Sequence, residues 1–139
     1  MANLIHLSER ASLAIHSMAL LVGSKNGRAT IRELADQLDA SANHLAKVFQ
    51  SLGKAGLLRS ERGPAGGYRL NRPAEKISFL DVFEAVEGRV VLSGCPLGKE
   101  KCYFQKCVFS GQLNRITRDL YESMRGLNMA SFKQDRRSS

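Results

Sequence analysis

A chain of 139 residues, 43% apolar and 24% charged, has the size and balance of one small globular unit, which excludes a fibrous or unfolded polymer. No apolar run approaches the roughly 18 residues of a membrane span, and the start lacks a basic leader with a long apolar core, so a cytoplasmic location with no membrane partner is expected. The formal net charge of +8 predicts an anionic partner.

In chain order, a helix is predicted over 8–23, with Ser8 as N-cap, a broad apolar stripe through Leu13, Met18 and Leu21, and Gly23 as its stop. Thr30-Ile31-Arg32-Glu33 reads as a capping box opening a second helix to about Leu38. Asp39-Ala40 is a tight turn, and Ser41 caps a third helix through about Ala55. Leu45, Val48, Phe49 and Leu52 line its buried side, and Gly56 ends it. Two helices so closely joined form a helix-turn-helix layout. Strands over 57–62 and 68–71 follow, joined by a Gly-rich turn over 63–67, and make a hairpin, the wing. Ser78 caps a further short helix that stops at Gly88, and residues 88–107 form a Cys-bearing loop. A long helix is predicted over 108–127, with Leu113, Ile116, Leu120, Met124 and Leu127 as a short heptad-like seam for a partner helix. The fold class expected is mainly α with a small β-hairpin wing, a winged helix-turn-helix domain plus a long C-terminal dimerisation helix. Residues 1–76 would be the DNA-binding domain, 77–107 the short helix and sensor loop, 108–130 the dimerisation helix and 131–139 a polar tail.

The charge is concentrated where this layout would meet nucleic acid. Residues 41–72 hold Lys47, Lys54, Arg59, Arg62, Arg69 and Arg72 against the single acid Glu61. A recognition helix presents its first turns to base edges in the major groove. Ser41, Asn43, His44 and Lys47 occupy that place: Asn pairs bidentately with adenine, and Ser and Lys reach base or phosphate oxygens. Arg59, Arg62 and Arg69 are the wing's contribution, Arg62 at the tip being suited to a minor groove. Tyr68 is expected to pack within the hairpin. Two heads reading two half-sites imply a homodimer on a palindromic operator of double-stranded DNA.

The three cysteines, Cys95, Cys102 and Cys107, are separated by six and then four residues. An odd, clustered set in a reducing compartment argues against structural disulfides. Spacing alone leaves an iron–sulfur cluster, a thiol redox switch and zinc all open. Lys99, Lys101 and Lys106 would favour the thiolate forms. No phosphate-cradling loop leads into a helix and no paired carboxylates form a motif, so an enzyme is not expected.

The segments LSERASLAIHSMALL, TIRELADQL and RGPAGGY, with the Cys loop and the final long helix, give a resemblance over nearly the whole chain. The chain resembles the Rrf2 (Rrf-two) family of winged helix-turn-helix transcription regulators, which includes the IscR-type and NsrR-type iron–sulfur sensors. The resemblance implies a homodimeric regulator, expected to be a repressor, whose DNA affinity is set by a [4Fe-4S] or [2Fe-2S] cluster. That cluster would respond to nitric oxide, redox state or iron and cluster status. The alternative is a member without a cluster, sensing through thiols or a small ligand. The resemblance further implies Cys95, Cys102 and Cys107 as ligands but leaves the fourth open. The His that IscR-type members carry three positions after the last Cys is here Ser110. The acidic residue that NsrR-type members supply from the partner's first helix aligns with Ser12. The nearest donors on that helix are His16 and Glu9.

Overall fold

The computed structural model describes residues 1–63, 66–92, 95–97 and 101–133. Pro64 and Ala65 of the predicted wing turn, Lys99, and the tail from 134 lie outside the described residues.

Helix α1 (Glu9–Val22) begins where Ser8 caps it, its Oγ accepting the Ala11 N–H at 3.0 Å. Ala11, Ala14, Met18 and Leu21 are fully buried, so α1 presents one side to the core along its whole length. Helix α2 (Ile31–Leu38) carries the predicted capping box: the Thr30 Oγ1 accepts the Glu33 N–H at 3.1 Å and the Glu33 carboxylate accepts the Thr30 N–H at 3.0 Å. Asp39 then adopts left-handed geometry, φ +50°, a conformation a short polar side chain tolerates better than a branched one. That single residue turns the chain into α3 (Ala42–Lys54), capped by the Ser41 Oγ accepting from His44 N–H at 3.3 Å. Leu45, Val48, Phe49 and Leu52 are buried as the spacing predicted; each such side chain contributes roughly 1.5–3 kcal/mol by leaving water.

The wing is a sheet of three strands where two were expected. β2 (Leu58–Glu61) and β3 (Gly67–Leu70) form the hairpin, and β1 (Arg28–Ala29) adds to the far edge of β3 in the order β1-β3-β2. A two-residue strand shows no alternation, so its sequence carried no signal. Gly67 makes the pairing possible. A Cβ there would stand 2.7 Å from the Ala29 carbonyl oxygen, on a backbone at φ +152°. The register sets Arg28, Arg69 and Arg59 side by side on one face. On the other, Tyr68 meets the Phe49 ring edge-on at 5.0 Å, the packing role expected of it.

Helix α4 (Phe79–Glu87) has its own capping box, Ser78 with Asp81. It packs on α1 and α3, and the Ser8 hydroxyl donates to the Glu87 carboxylate. Helix α5 (Gln112–Gly126) starts four residues later than predicted and ends before Leu127. Ser110 and Gly111 have φ +53° and +74°, and that left-handed pair breaks any helix from 108. None of α5 is buried. Beyond it the chain returns: Phe79 N–H donates to Leu127 O at 3.0 Å, Met129 N–H to Ile77 O at 2.9 Å, and Met129 is fully buried against the core. Among the described residues no helix is long and apolar enough to cross a membrane.

Candidate nucleic-acid interface and thiol loop

The outer side of α3 forms a cleft lined by His44, Lys47, Gln50, Ser51 and Lys54, and Arg10 of α1 closes its edge. Three fixed cations therefore face one groove: Arg10, Lys47 and Lys54. The apolar residues of α3 point inward at i, i+3, i+4 and i+7, so these polar residues are left outside by the same periodicity. The carboxylate of Glu9 stands 3.7 Å from the His44 ring nitrogen Nδ1, a pair that is charged on both sides only when His44 is protonated. The sequence reading missed Arg10 and Gln50. The signal for Gln50 was its place one turn beyond Lys47; that for Arg10 was a polar first turn on the helix that backs α3.

The other expected readers are distributed differently. Ser41 and Asn43 are exposed in the first turn of α3, with the Ser41 oxygen also holding the cap. Arg62 is exposed beside the wing tip. Arg69 is held: its Nε donates to the Glu61 carboxylate at 2.7 Å and its other end to the Asn26 carbonyl at 2.6 Å. Arg28 also approaches Glu61, at 3.8 Å. Arg59 has no ion pair or side-chain hydrogen bond with another described residue.

The thiol loop is open to solvent. Cys95, Cys102 and Cys107 are all free and exposed. Cys95 and Cys107 line one small cleft with Phe109, Leu113 and Asn114, while Cys102 lies elsewhere, its thiol 3.7 Å from the Phe104 carbonyl oxygen. Among the described residues no three His, Cys, Asp or Glu side chains gather as a metal site. His16 and Glu9, the donors expected from the first helix, both lie on α1. His16 is exposed on α1 with Nδ1 2.7 Å from the Ser12 carbonyl oxygen, and Glu9 is engaged with His44. Cys107 sits at the turn before α5, where the backbone N–H groups of Gly111, Phe109 and Ser110 point at its sulfur. Those donors, Gly111 foremost, hold its thiol below the usual cysteine range and favour the thiolate.

The family model described as "Rrf2: Iron-dependent Transcriptional regulator" matches residues 7–135. The chain is 40% identical over 80 residues to the HTH-type transcriptional regulator IscR of Cereibacter sphaeroides, covering 58% of this chain and 52% of that protein, about half its length. It is 34% identical over 108 residues to the putative HTH-type transcriptional regulator YffB of Lactococcus lactis, covering 73% of this chain and 69% of the relative. Over 146 aligned positions it is 32% identical to IscR of Photobacterium profundum, covering 94% and 83%. Among solved structures, CymR, titled the global cysteine regulator of B. subtilis, superposes with TM-score 0.73 at 20% identity over 96% of this chain and all of that one. T. potens IscR does so with TM-score 0.73 at 21% identity, over 94% and 88%. At that identity these two likenesses show the fold, which is the winged helix expected. A family match spanning the wing, the helix-turn-helix and the return of the chain after α5 is decisive: the chain belongs to the Rrf2 family of transcriptional regulators.

Proposed function

We propose that the chain acts as a homodimeric repressor that reads a palindromic DNA operator with α3 and the wing, and that the loop around Cys95, Cys102 and Cys107 is its input. The reading is carried by one observation, the cleft that sets Arg10 of α1 beside Lys47 and Lys54 of α3. Three cations along one groove neutralise backbone phosphates, while exposed Asn43 in the first turn of the helix meets bases, with His44 beside it against Glu9. Arg62 at the tip serves the minor groove. Arg69, fixed by Glu61 and Asn26, shapes the wing. Residues 1–76 are then the reading head, 77–107 the sensor segment, 108–130 the dimerisation segment and 131–139 the tail. Exposed Ile116, Leu120 and Leu127 offer the seam for a second copy.

An iron–sulfur cluster at the loop would be held by Cys95, Cys102 and Cys107, with His16 of the partner subunit or Glu9 of the partner subunit completing the set. It would supply redox chemistry and iron open to nitric oxide. The donor types suit it, but among the described residues the single-chain arrangement stops short of a cradle, since Cys95 and Cys107 share a cleft that Cys102 does not line. A second reading, sensing by the thiols themselves, is favoured by the N–H groups that surround the Cys107 sulfur.

The deciding experiment is anaerobic purification followed by a visible absorption spectrum with iron and sulfide assays. Charge-transfer bands with stoichiometric iron and sulfide support the cluster reading. A colourless, iron-free protein after reconstitution overturns it and leaves the thiol reading. Failure to bind any operator DNA at low salt, in either state, overturns the repressor itself.

A further inference from the structure

A second basic cleft, sharing no residue with that on α3, lies at the base of the wing. It is an open depression of about 450 Å³ between the end of α1, strand β3 and the turn at Pro73–Glu75, with Lys133 at its edge after the chain has returned from α5. That volume is within the range of sites that hold a small organic molecule. Its two kinds of wall are distinct. Val22, Leu70 and Pro73 supply an apolar side, and Arg59, Arg69, Arg72 and Lys133 supply cations against one carboxylate among the described residues, that of Glu75.

The cations are unequal. Lys133 is paired with Glu75, and Arg69 with Glu61. Arg72 makes only a long contact, 3.5 Å, to the Ala55 carbonyl oxygen, and Arg59 has no ion pair with another described residue. Arg72 also lines a neighbouring cleft with Ala55, Asp81 and Glu84, so among the described residues Arg59 is the guanidinium of this cleft without an ion pair or side-chain hydrogen bond. A guanidinium presents a planar fork that matches carboxylate and phosphate oxygens bidentately. We infer that this cleft binds a small organic anion, its carboxylate or phosphate on Arg59, with Arg69 beside it in the sheet, and its apolar body against Val22, Leu70 and Pro73. The cleft touches both the wing and Lys133 at the end of the returning segment, so an occupant would bridge reading head and C-terminal segment. This input is independent of the thiol loop and stands whether or not that loop carries a cluster.

The test is an NMR titration of the labelled full-length protein with phenyl phosphate, beside inorganic phosphate and neutral phenol. Saturable shifts of the Gly27, Leu70 and Asn71 amides, tighter for phenyl phosphate than for either control, are expected. Arg59→Ala should weaken the apparent Kd at least about tenfold, and Arg59→Lys, which keeps the charge but not the fork, should fall between. Shifts that stay linear, equal affinity in Arg59→Ala, or equal binding of inorganic phosphate would each overturn the proposal. So would non-operator duplex DNA moving these same amides, which would assign the cleft to the phosphate backbone.

Discussion

Among the reading residues, different chemistry predicts different signatures. Lys47→Ala should weaken operator and random DNA alike and reduce the slope of log K against log salt by about 1, because it removes one phosphate contact. Asn43→Ala should cost about 1–3 kcal/mol on the operator alone, with the slope unchanged. Fluorescence anisotropy across a salt series separates the two, and a uniform loss in Asn43→Ala would remove it from base reading. Glu9, a candidate cluster donor from the first helix, stands 3.7 Å from the His44 Nδ1 of α3 in its own chain. Cys107 has a proton linkage with a definite sign. Its folded pKa is lowered, so the N–H cradle stabilises the fold above the unfolded thiol value of about 8.5 and loses that contribution as pH falls through the folded value. Iodoacetamide should accordingly alkylate Cys107 with a pH midpoint below that of the urea-unfolded chain. Coincident midpoints, read by mass spectrometry, would dismiss the thiolate.

At the level of elements, helix α5 carries the proposed seam. Ile116 is 46% exposed and Leu120 43%, on a helix with no buried residue at all. An amphipathic helix that a domain leaves uncovered finds its stability in packing against another surface. Leu120→Lys should therefore shift sedimentation from dimer to monomer while the circular dichroism of the core helices persists. A variant still dimeric would transfer the interface elsewhere. Elements also show what the sequence made legible. Periodicity and caps gave α1 to α4 to within a residue or two, because buried stripes and capping boxes are local. The start of α5 was lost because Ser110 adopts φ +53°, a backbone choice nothing in the apolar spacing announces. β1 was lost because its reason lies in Gly67, 38 positions away, where a missing Cβ admits the Ala29 carbonyl. The thiols were legible as a set by spacing, but their placement in space is a matter of loop geometry. Arg10 escaped because its neighbour Lys47 lies on another helix.

Across the whole molecule, α1 is the beam on which the other elements rest. It meets α2, α3, α4, β1 and the returning 129–132 segment. Met129 is fully buried against this core. Met129→Ala should cost about 2–5 kcal/mol in urea unfolding, whereas Val91→Ala, at a residue 73% exposed, should change stability by less than about 0.5 kcal/mol. Equal effects would mean that the returning segment is not part of the cooperative unit.

The return of the chain at Leu127–Met129 has a mechanical meaning. A rod of 15 residues, about 22 Å long at 1.5 Å per residue, is pinned at its far end to Ile77 and Phe79 and begins, at the other, beside the Cys107 turn. With one end fastened, a disturbance at the thiol turn cannot slide the rod along its axis and is converted into tilt. Its fulcrum is the start of α4, which packs on both α1 and α3. In the proposed dimer, with two such rods lying against each other, a small push at the thiols would become a change in the angle between two reading heads, so the distance between half-sites that the pair can span would be set by leverage rather than by any new contact to DNA.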